Sequence, residues 1–245
     1  MDRVARDLFL HRFGVERCYR KRVLLEHPGW NYRDLLKLAV AYRLLSGKDF
    51  AFVQVGAFDG VSNDPIHGIV REFGIRGIIV EPQARAFELL RRNYADHPQV
   101  ILVHAAVSAV EETRDFFTAV DSPVQVASFD RNHLLKSKIP PDRIECTKVR
   151  CRTLDGLRRE YGIRKFDLVQ VDAEGHDYEI IRTIDFGPGK PSLIRFEHIH
   201  LSERDCTECI RMLAGRGYRF LSEKSDIIAL ADCIHERVES PGTGE

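Results

Sequence analysis

From Phe50 to Leu230, short apolar runs alternate with segments whose apolar residues recur at helical spacing. The predicted strands are Phe52–Val55, Gly77–Val80, Val100–Val107, Phe166–Val171 and Leu193–Phe196. The predicted helices are Pro65–Phe73, Arg85–Tyr94, Asp177–Ile184 and Glu203–Arg216. Alternating strands and helices indicate an α/β fold, with a mostly parallel sheet covered by helices on both faces.

The end of this pattern differs from a plain dinucleotide-binding sheet. Tyr218–Ser222 and Asp226–Leu230 predict an antiparallel hairpin around Glu223-Lys-Ser225. Further strands are predicted at Arg114–Ala119 and Lys148–Leu154, whereas residues 120–147 have no clear periodicity. A segment of that length is either a substrate loop or lid, or a disordered insertion.

The first 48 residues predict an N-terminal helical appendage packed on a main domain at 49–235. Apolar residues recur near helical period up to Leu45, with a break at His27-Pro28-Gly29 and an end at Gly47. The last residues, 236–245, are polar and glycine-rich, so a disordered tail is expected.

Composition narrows the class of protein. A chain of 245 residues with 44% hydrophobic and 30% charged residues is an ordinary globular protein. Residues 1–49 contain eleven basic and six acidic residues, and Arg17-Cys-Tyr-Arg-Lys-Arg22 is either a solvated face or a contact for an anionic partner. The net charge of zero, without a zinc module or RNA-binding signature, argues against a nucleic-acid partner.

Cysteine usage and hydropathy predict a reduced, cytoplasmic protein without a membrane segment. The six cysteines are too sparse for a disulfide scaffold, and neither a secretory segment nor a run of ~20 apolar residues is found in the sequence. The pair in Cys206-Thr-Glu-Cys209 has no partner pair at zinc-ligand spacing. We therefore expect no metal site.

Candidate chemistry follows the strands, because ligands of such sheets bind beyond the strands' carboxyl ends. Gly56-Ala-Phe-Asp-Gly60 follows the first strand; it is either a simple turn or a loop whose amides meet a ligand carboxylate. It is not the G-x-G-x-x-G of dinucleotide sites. Glu81-Pro82 follows the second strand, where an acidic residue accepts hydrogen bonds from ribose hydroxyls.

Polar residues also follow the fourth and fifth strands. Asp172-Ala-Glu-Gly-His-Asp177 places three carboxylates at one strand end, although Asp177 also fits the cap of the next helix. Glu197-His-Ile-His200 follows the fifth strand, and its two histidines either ligate a metal or alternate incidentally. This density of polar residues predicts a site at the mouth of the sheet.

These motifs together resemble the FkbM-like family of class I methyltransferases, which depend on S-adenosylmethionine (SAM). The resemblance extends from Phe52 to Leu230, and Val171-Asp-Ala-Glu-Gly175 is its most specific part. Its other parts are Val53-Gln-Val-Gly-Ala-Phe-Asp-Gly60, Ile79-Val-Glu-Pro82, Ala105-Ala-Val107, Thr153-Leu-Asp155 and Asp226-Ile-Ile-Ala-Leu230.

The resemblance implies a Rossmann-like class I methyltransferase sheet, SAM as the cofactor, and O-methylation of a sugar, glycoside or polyketide-type natural product. The implied cofactor-binding residues are Gln54, Gly56, Ala57, Asp59, Gly60, Glu81, Pro82, Ala106, Ser128 and Asp172. Among them, Gly56, Ala57 and Gly60 would hold the methionine end, Glu81 the ribose, and Ala106 and Ser128 the adenine. Asp59 departs from the family, which often has a small or amide residue there.

A hydroxyl acceptor benefits from a general base, for which the candidates are Asp172, Glu174, His176 and His198. Two other functions stay open at this stage. One is N-methylation of an amine or protein side chain, and the other is a non-catalytic binding module that retains the fold. The expected partner is a small-molecule hydroxyl acceptor, and a homo-oligomer is compatible with the sequence.

Overall fold

A computed structural model describes residues 15–17, 35–45, 49–120 and 126–231. The first elements are β1 (Val15–Arg17), α1 (Leu35–Leu44), β2 (Ala51–Val55), α2 (Pro65–Phe73), β3 (Arg76–Val80), α3 (Ala84–Asn93) and β4 (Val100–Val103). The middle elements are β5 (Ala106–Val107), β6 (Thr113–Ala119), β7 (Ala127–Ser128), α4 (Arg131–Lys136), β8 (Ile144–Arg152) and α5 (Leu154–Glu160), with a 3-10 turn at Pro141–Arg143. The last elements are β9 (Leu168–Val171), α6 (Asp177–Ile181), β10 (Leu193–Glu197), α7 (Glu203–Ala214), β11 (Tyr218–Glu223) and β12 (Asp226–Ala231).

The main sheet has eight strands in the order β1-β11-β12-β10-β9-β2-β3-β4. Strands β2, β3, β4, β9 and β10 are parallel, and β12 runs antiparallel to both β10 and β11. The predicted α/β class and its closing hairpin are confirmed. The chain winds outward in opposite directions from the β2–β9 pair, so a crevice opens at their carboxyl ends.

Both faces of this sheet are buried, which explains why its strands are nearly continuous apolar runs. Val53 and Val55 of β2 face a core completed by α5, α6 and α7. The side chain of Phe52 points to the opposite face of the sheet, where it packs in a second core completed by α1, α2 and α3. Each strand therefore contributes alternate side chains to two separate cores.

Helix α2 shows how local sequence sets these boundaries. Asp64 caps its first turn by accepting hydrogen bonds from the amides of Ile66 and His67, and Pro65 occupies the first helical position. Gly74 ends the helix in a left-handed conformation with φ of 61°. The carboxylate of Asp64 is thereby held at the carboxyl edge of β2.

The N-terminal segment differs in part from the helical prediction. Val15–Arg17 is a strand that pairs in parallel with β11, whereas Leu35–Leu44 is helical as predicted. Strand pairing at residues 15–17 satisfies backbone groups on the edge of β11, which a helix there would leave unpaired. Most of the basic run that begins at Arg17, and the polar tail, lie outside the described residues.

The middle of the chain forms a second sheet, with the order β5-β8-β6-β7. The single strand predicted over Val100–Val107 is wrong, because the chain leaves the main sheet after β4 and Ala106–Val107 pairs with β8. Leu154 starts a helix rather than ending a strand, since the Thr153 hydroxyl accepts from the amide of Gly156 and caps α5. The described parts of 120–147 contain β7, α4 and the start of β8.

The helices bear on the predictions about the Cys206–Cys209 pair and about membrane segments. Cys206 and Cys209 lie in α7 with free, buried thiols, and burial raises the pKa of Cys206 to about 12. Such thiols are unreactive and serve packing. In the described part of the chain, every helix is too short or too polar to cross a bilayer.

Candidate active site

A cavity of about 380 Å³ opens at the carboxyl ends of the central strands. This volume lies in the range of roughly 300–1,000 Å³ typical of small-molecule sites. One wall is formed by the loops after β2, β3, β9 and β10, and the opposite wall by apolar residues of the second sheet and the segment beside it. These apolar residues are Ala106, Val107, Phe116, Val126, Ala127 and Phe129. The segment without periodicity thus supplies part of the site.

Gly56 allows the backbone after β2 to approach the backbone after β9 closely at the floor of the cavity. Its φ is +75°, and a Cβ added there would lie 1.9 Å from the carbonyl oxygen of Asp172. The amide of Asp172 donates to the carbonyl of Val55 at 3.0 Å, and that of Gly56 to Val80 at 3.0 Å. The glycine is therefore required by backbone packing as well as by any ligand.

We predict that Gly56→Ala destabilises the protein by at least about 2 kcal/mol, because it combines an unfavourable φ with a backbone clash. Gly68→Ala is the matched control, since a Cβ at this helical glycine meets no heavy atom within 4 Å. The control should stabilise the fold by up to about 1 kcal/mol. Urea unfolding of both variants measures the difference, and equal unfolding free energies would contradict this reading of Gly56.

Gln54 presents an unsatisfied acceptor to the cavity. Its Nε2 donates to Oδ2 of Asp64 at 2.8 Å, whereas its buried Oε1 has no hydrogen-bond partner in the described part of the chain. Burial raises the pKa of Asp64 to about 6. A buried acceptor without a donor is costly, so this corner of the cavity favours a ligand that donates hydrogen bonds.

Glu81 is held rigidly at the end of β3 and is only 2% exposed. Its Oε2 accepts from the amide of Phe58 and its Oε1 from the amide of Gln83, both at 2.7 Å. Burial raises the pKa of Glu81 to about 7. A carboxylate has about four acceptor positions, so two lone pairs remain for hydroxyl groups of a ligand.

Asp172 and Glu197 form the acidic centre of the cavity. Asp172 is accessible from the cavity although protein surrounds it, and burial together with the charge of Glu174 raises its pKa to about 7. Burial and the charge of Asp172 raise the pKa of Glu197 to about 9. Arg195 partly offsets these charges, donating to Asp226 at 2.8 Å and to Gln170 at 3.2 Å.

The cavity is therefore strongly acidic. Among the described lining residues, six carboxyl groups face one guanidinium group, that of Arg195. The six are Asp64, Glu81, Asp172, Glu174, Glu197 and Asp226. Several of these groups hold protons near pH 7 because their pKa values are raised, and a bound cation would favour their ionised form. The wall therefore favours cationic ligands over anionic ones.

Glu174 connects the cavity to two histidines. Its backbone has a φ of 49°, uncommon for a residue with a side chain, and its Oε2 lies 3.0 Å from Nε2 of His133. The Nε2 of His200 lies 3.4 Å from the same oxygen. No motif of the sequence marks His133, which lies in α4, whereas the sequence leaves open whether His200 ligates a metal or is incidental.

Three predicted cofactor residues, Asp59, Gly60 and Ser128, lie outside the cavity lining. Asp59 accepts from the amides of Val61 and Ser62, at 3.0 and 2.7 Å, so its carboxylate closes a turn. Gly60 is buried against α3, where an added Cβ would lie 2.4 Å from Cδ1 of Leu90. Asp59 and Gly60 thus shape the loop after β2 from the side away from the cavity.

The other predicted site residues also divide into those that line the cavity and those that do not. Gln54, Gly56, Ala57, Glu81, Pro82, Ala106, Asp172 and Glu174 all line the cavity. Ser128, His176 and His198 do not line it. Ser128 Oγ accepts from the amide of Asp130 at 3.3 Å, and the His176 ring packs 5.0 Å from that of Phe129. His198 is 5% exposed, and its amide donates to Ser225.

Asp177 is not the cap of α6, since His176 holds that position. The carboxylate of Asp177 is completely buried and accepts from the amides of Ala173 and Glu197, at 3.2 and 3.1 Å. It therefore ties the loop after β9 to the end of β10. These two hydrogen bonds hold Asp172 and Glu197 in position relative to each other.

A Rossmann-like sheet with a cavity at its topological switch point is the arrangement typical of α/β proteins that bind small molecules. The sequence profile of the Methyltransferase FkbM domain matches residues 54–220. The chain belongs to this family, and the matched range contains all the cavity-lining residues except Ser225 and Asp226. The predicted resemblance is confirmed, and with it the general class of methyltransferase. A search of curated proteins found no match.

Several solved structures are similar to this chain. The FkbM methyltransferase of Methylobacillus flagellatus shares 14% identity over 74% of this chain and 44% of that one, with a TM-score of 0.42. An O-methyltransferase of Bacillus cereus, solved in complex with SAH, shares 12% identity over 86% and 96%, with a TM-score of 0.44. A methyltransferase of Geobacter sulfurreducens shares 11% identity over 92% and 89%, with a TM-score of 0.43. This chain spans less than half of the Methylobacillus protein.

Proposed function

We propose that this protein transfers the methyl group of SAM to a hydroxyl group of a small molecule, such as a sugar, glycoside or polyketide-type compound. The observation that carries the proposal is the acidic cavity at the β2–β9 switch point, with buried acceptors on Gln54 and Glu81 facing it. SAM supplies a methyl group already activated by a positively charged sulfonium. Membership of the FkbM family supports methyl transfer.

The ribose, the methionine end and the adenine of SAM each have suitable residues in the cavity wall. Glu81 accepts hydrogen bonds from the two ribose hydroxyls, as acidic residues after the second strand do in Rossmann-like folds. Gln54 Oε1 accepts from the ammonium group of the methionine end, beside Gly56 and Ala57. Ala106 and Val107 offer an apolar surface for the adenine ring. The carboxyl-rich wall of the cavity favours the cationic donor over neutral S-adenosylhomocysteine, because a bound cation stabilises the ionised form of these groups.

Asp172 is our choice for the general base. It lines the cavity, and its raised pKa of about 7 allows it to take a proton from an acceptor hydroxyl near neutral pH. His176 and His198 lie outside the lining, so we no longer assign them this role. Phe116, Val126 and Phe129 cover the opposite side and exclude water from the reacting groups.

The acidic cavity also supports a second candidate, N-methylation of an amine. A protonated amine would be attracted by the same carboxylates, and Asp172 would then remove a proton from nitrogen rather than oxygen. The two functions share the SAM site and differ in the acceptor atom. Identification of the methylated product separates them.

The proposal is tested by thermal unfolding with SAM, with S-adenosylhomocysteine and with NAD as a control. A ligand at about 100 times its Kd stabilises the fold by about 2.7 kcal/mol, which corresponds to about 5–10 °C in Tm for a protein of this size. SAM should raise Tm and NAD should not. No shift with millimolar SAM would refute the proposal.

Labelled methyl groups then identify the reaction. Incubation of the protein with methyl-labelled SAM and small-molecule extracts should label a compound whose new methyl group is on oxygen. A label on nitrogen would establish the second candidate. SAM binding without transfer to any fraction would instead favour the non-catalytic binding module.

A further inference from the structure

We propose that His133, Glu174 and His200 form a binding site for a divalent first-row transition-metal ion at the rim of the cavity. One ligand atom of each residue lies within 4.8 Å of the others. The side chains of His133 and Glu174 are 14% and 19% exposed, and that of His200 is 32% exposed. The cluster is thus mostly enclosed, yet open on one side.

The two distances from Glu174 to the histidines match those expected for a shared ion. Oε2 of Glu174 lies 3.0 Å from Nε2 of His133 and 3.4 Å from Nε2 of His200. Ligands about 2.1 Å from one ion lie about 3.0 Å apart at a right angle and about 3.4 Å apart at a tetrahedral angle. The 3.0 Å contact with His133 has hydrogen-bond geometry, and the 3.4 Å contact with His200 lies within ion-pair distance. Convergence of three ligands on one ion accounts for both contacts.

The three side chains come from separate parts of the fold. His133 lies in α4, Glu174 in the loop after β9, and His200 just beyond β10. Glu174 reaches the cluster from a left-handed backbone conformation, which costs about 1 kcal/mol or more. An ion held here would join the middle segment of the chain to the main sheet.

The surrounding carboxyl groups favour a cation. Oε2 of Glu197 lies 3.5 Å from Nε2 of His200, is buried, and has no hydrogen-bond partner among the described residues. The carboxyl groups of the adjoining cavity add to the negative potential. A positive ion would give this oxygen of Glu197 a partner and would offset the negative potential of the ionised carboxyl groups.

The ligand set identifies the class of ion. Two imidazoles and one carboxylate suit Zn²⁺, Mn²⁺, Fe²⁺ or Co²⁺, whereas Mg²⁺ and Ca²⁺ prefer sites made entirely of oxygen ligands. Three protein ligands leave coordination positions for other molecules. Because Glu174 also lines the cavity, oxygen atoms of the methyl acceptor would complete the coordination of the ion. This consequence rests on the proposed function.

The test is titration of the chelator-treated full-length protein with Zn²⁺, and with Co²⁺ as a spectroscopic probe. We expect binding that depends on this cluster, with an affinity at least about 100-fold weaker in His133→Ala and in His200→Ala. His97→Ala is the matched control, because His97 packs beside His67 and Tyr94, outside the cluster. It should bind both ions like the unmodified protein.

Circular dichroism shows whether each variant is folded. Glu174→Gln is the conservative variant, because it retains an oxygen acceptor for the histidines but loses the anionic ligand. A folded Glu174→Gln protein with weakened Zn²⁺ binding supports the proposal. Metal affinity unchanged in all three folded variants, or no binding by the unmodified protein at millimolar Zn²⁺, would overturn it. SAM titration of the same samples distinguishes failure of the metal site from failure of the proposed function.

Discussion

Asp172→Asn is expected to reduce methyl transfer about 10²–10⁴-fold, the usual contribution of a general base. An amide cannot take the proton that the acceptor hydroxyl loses. SAM affinity should change by no more than about threefold, because the ribose and methionine ends are assigned to Glu81 and Gln54. The measurement compares kcat, using the acceptor identified by labelling, with the Kd for SAM.

The pH dependence gives this prediction a second readout. The pKa of Asp172 is raised to about 7, so the carboxyl group holds a proton below that value and cannot act as a base. The kcat of the unmodified protein should therefore rise between about pH 6 and pH 8 and then level off. In Asp172→Asn, this rise should be absent.

Asp96→Asn is the control, because Asp96 is exposed and lies outside the cavity lining. It should leave kcat, its pH profile and SAM affinity unchanged. Equal losses of turnover and SAM binding in Asp172→Asn would mean that Asp172 holds the donor rather than serving as the base. Unchanged turnover would move the base to Glu174 or remove the need for one.

Glu81→Gln should weaken SAM binding about 10–100-fold. Hydrogen bonds to a charged group are worth about 1.5–3 kcal/mol, and the amide keeps only one acceptor oxygen. Both oxygens of Glu81 already accept a backbone amide, from Phe58 and from Gln83, so the new NH₂ group must face one of these donors. The variant should consequently also lose about 1–3 kcal/mol of folding stability.

Because stability and binding change together, SAM affinity is measured by calorimetry at a temperature where circular dichroism shows a folded protein. Glu88→Gln is the matched control, since Glu88 is an exposed residue of α3 whose carboxylate pairs with Arg91. It should bind SAM normally. A folded Glu81→Gln protein with undiminished SAM affinity would refute the assignment of Glu81 to the ribose.

Much of the main sheet could be predicted because its signals are local. Apolar runs at β2, β3, β9 and β10 reflect burial on both faces, and Asp64-Pro65 marks the start of α2. The polar residues after those strands converge because parallel strands end at one edge. The sequence alone therefore predicts that Glu81 and Asp172 belong to one site.

Other parts depended on contacts distant in sequence. The pairing of Val15–Arg17 with β11, and of Ala106–Val107 with β8, joins segments whose local patterns do not specify a partner. The middle segment has few apolar positions because its small sheet is buried mainly on one side. No periodicity of the chain could place Phe116 or Phe129 against the cavity.

By itself, the sequence determined the α/β class, the order of the central elements, the family, and the group of carboxylates at the sheet's edge. Only the tertiary structure decided which of these residues face the cavity. Gly60 and Asp59 turned out to support the loop from behind, while His133 came within 3.0 Å of Glu174 from 41 residues away. Local sequence sets where a strand ends, but the direction of a side chain beyond that end depends on the packing of neighbouring loops.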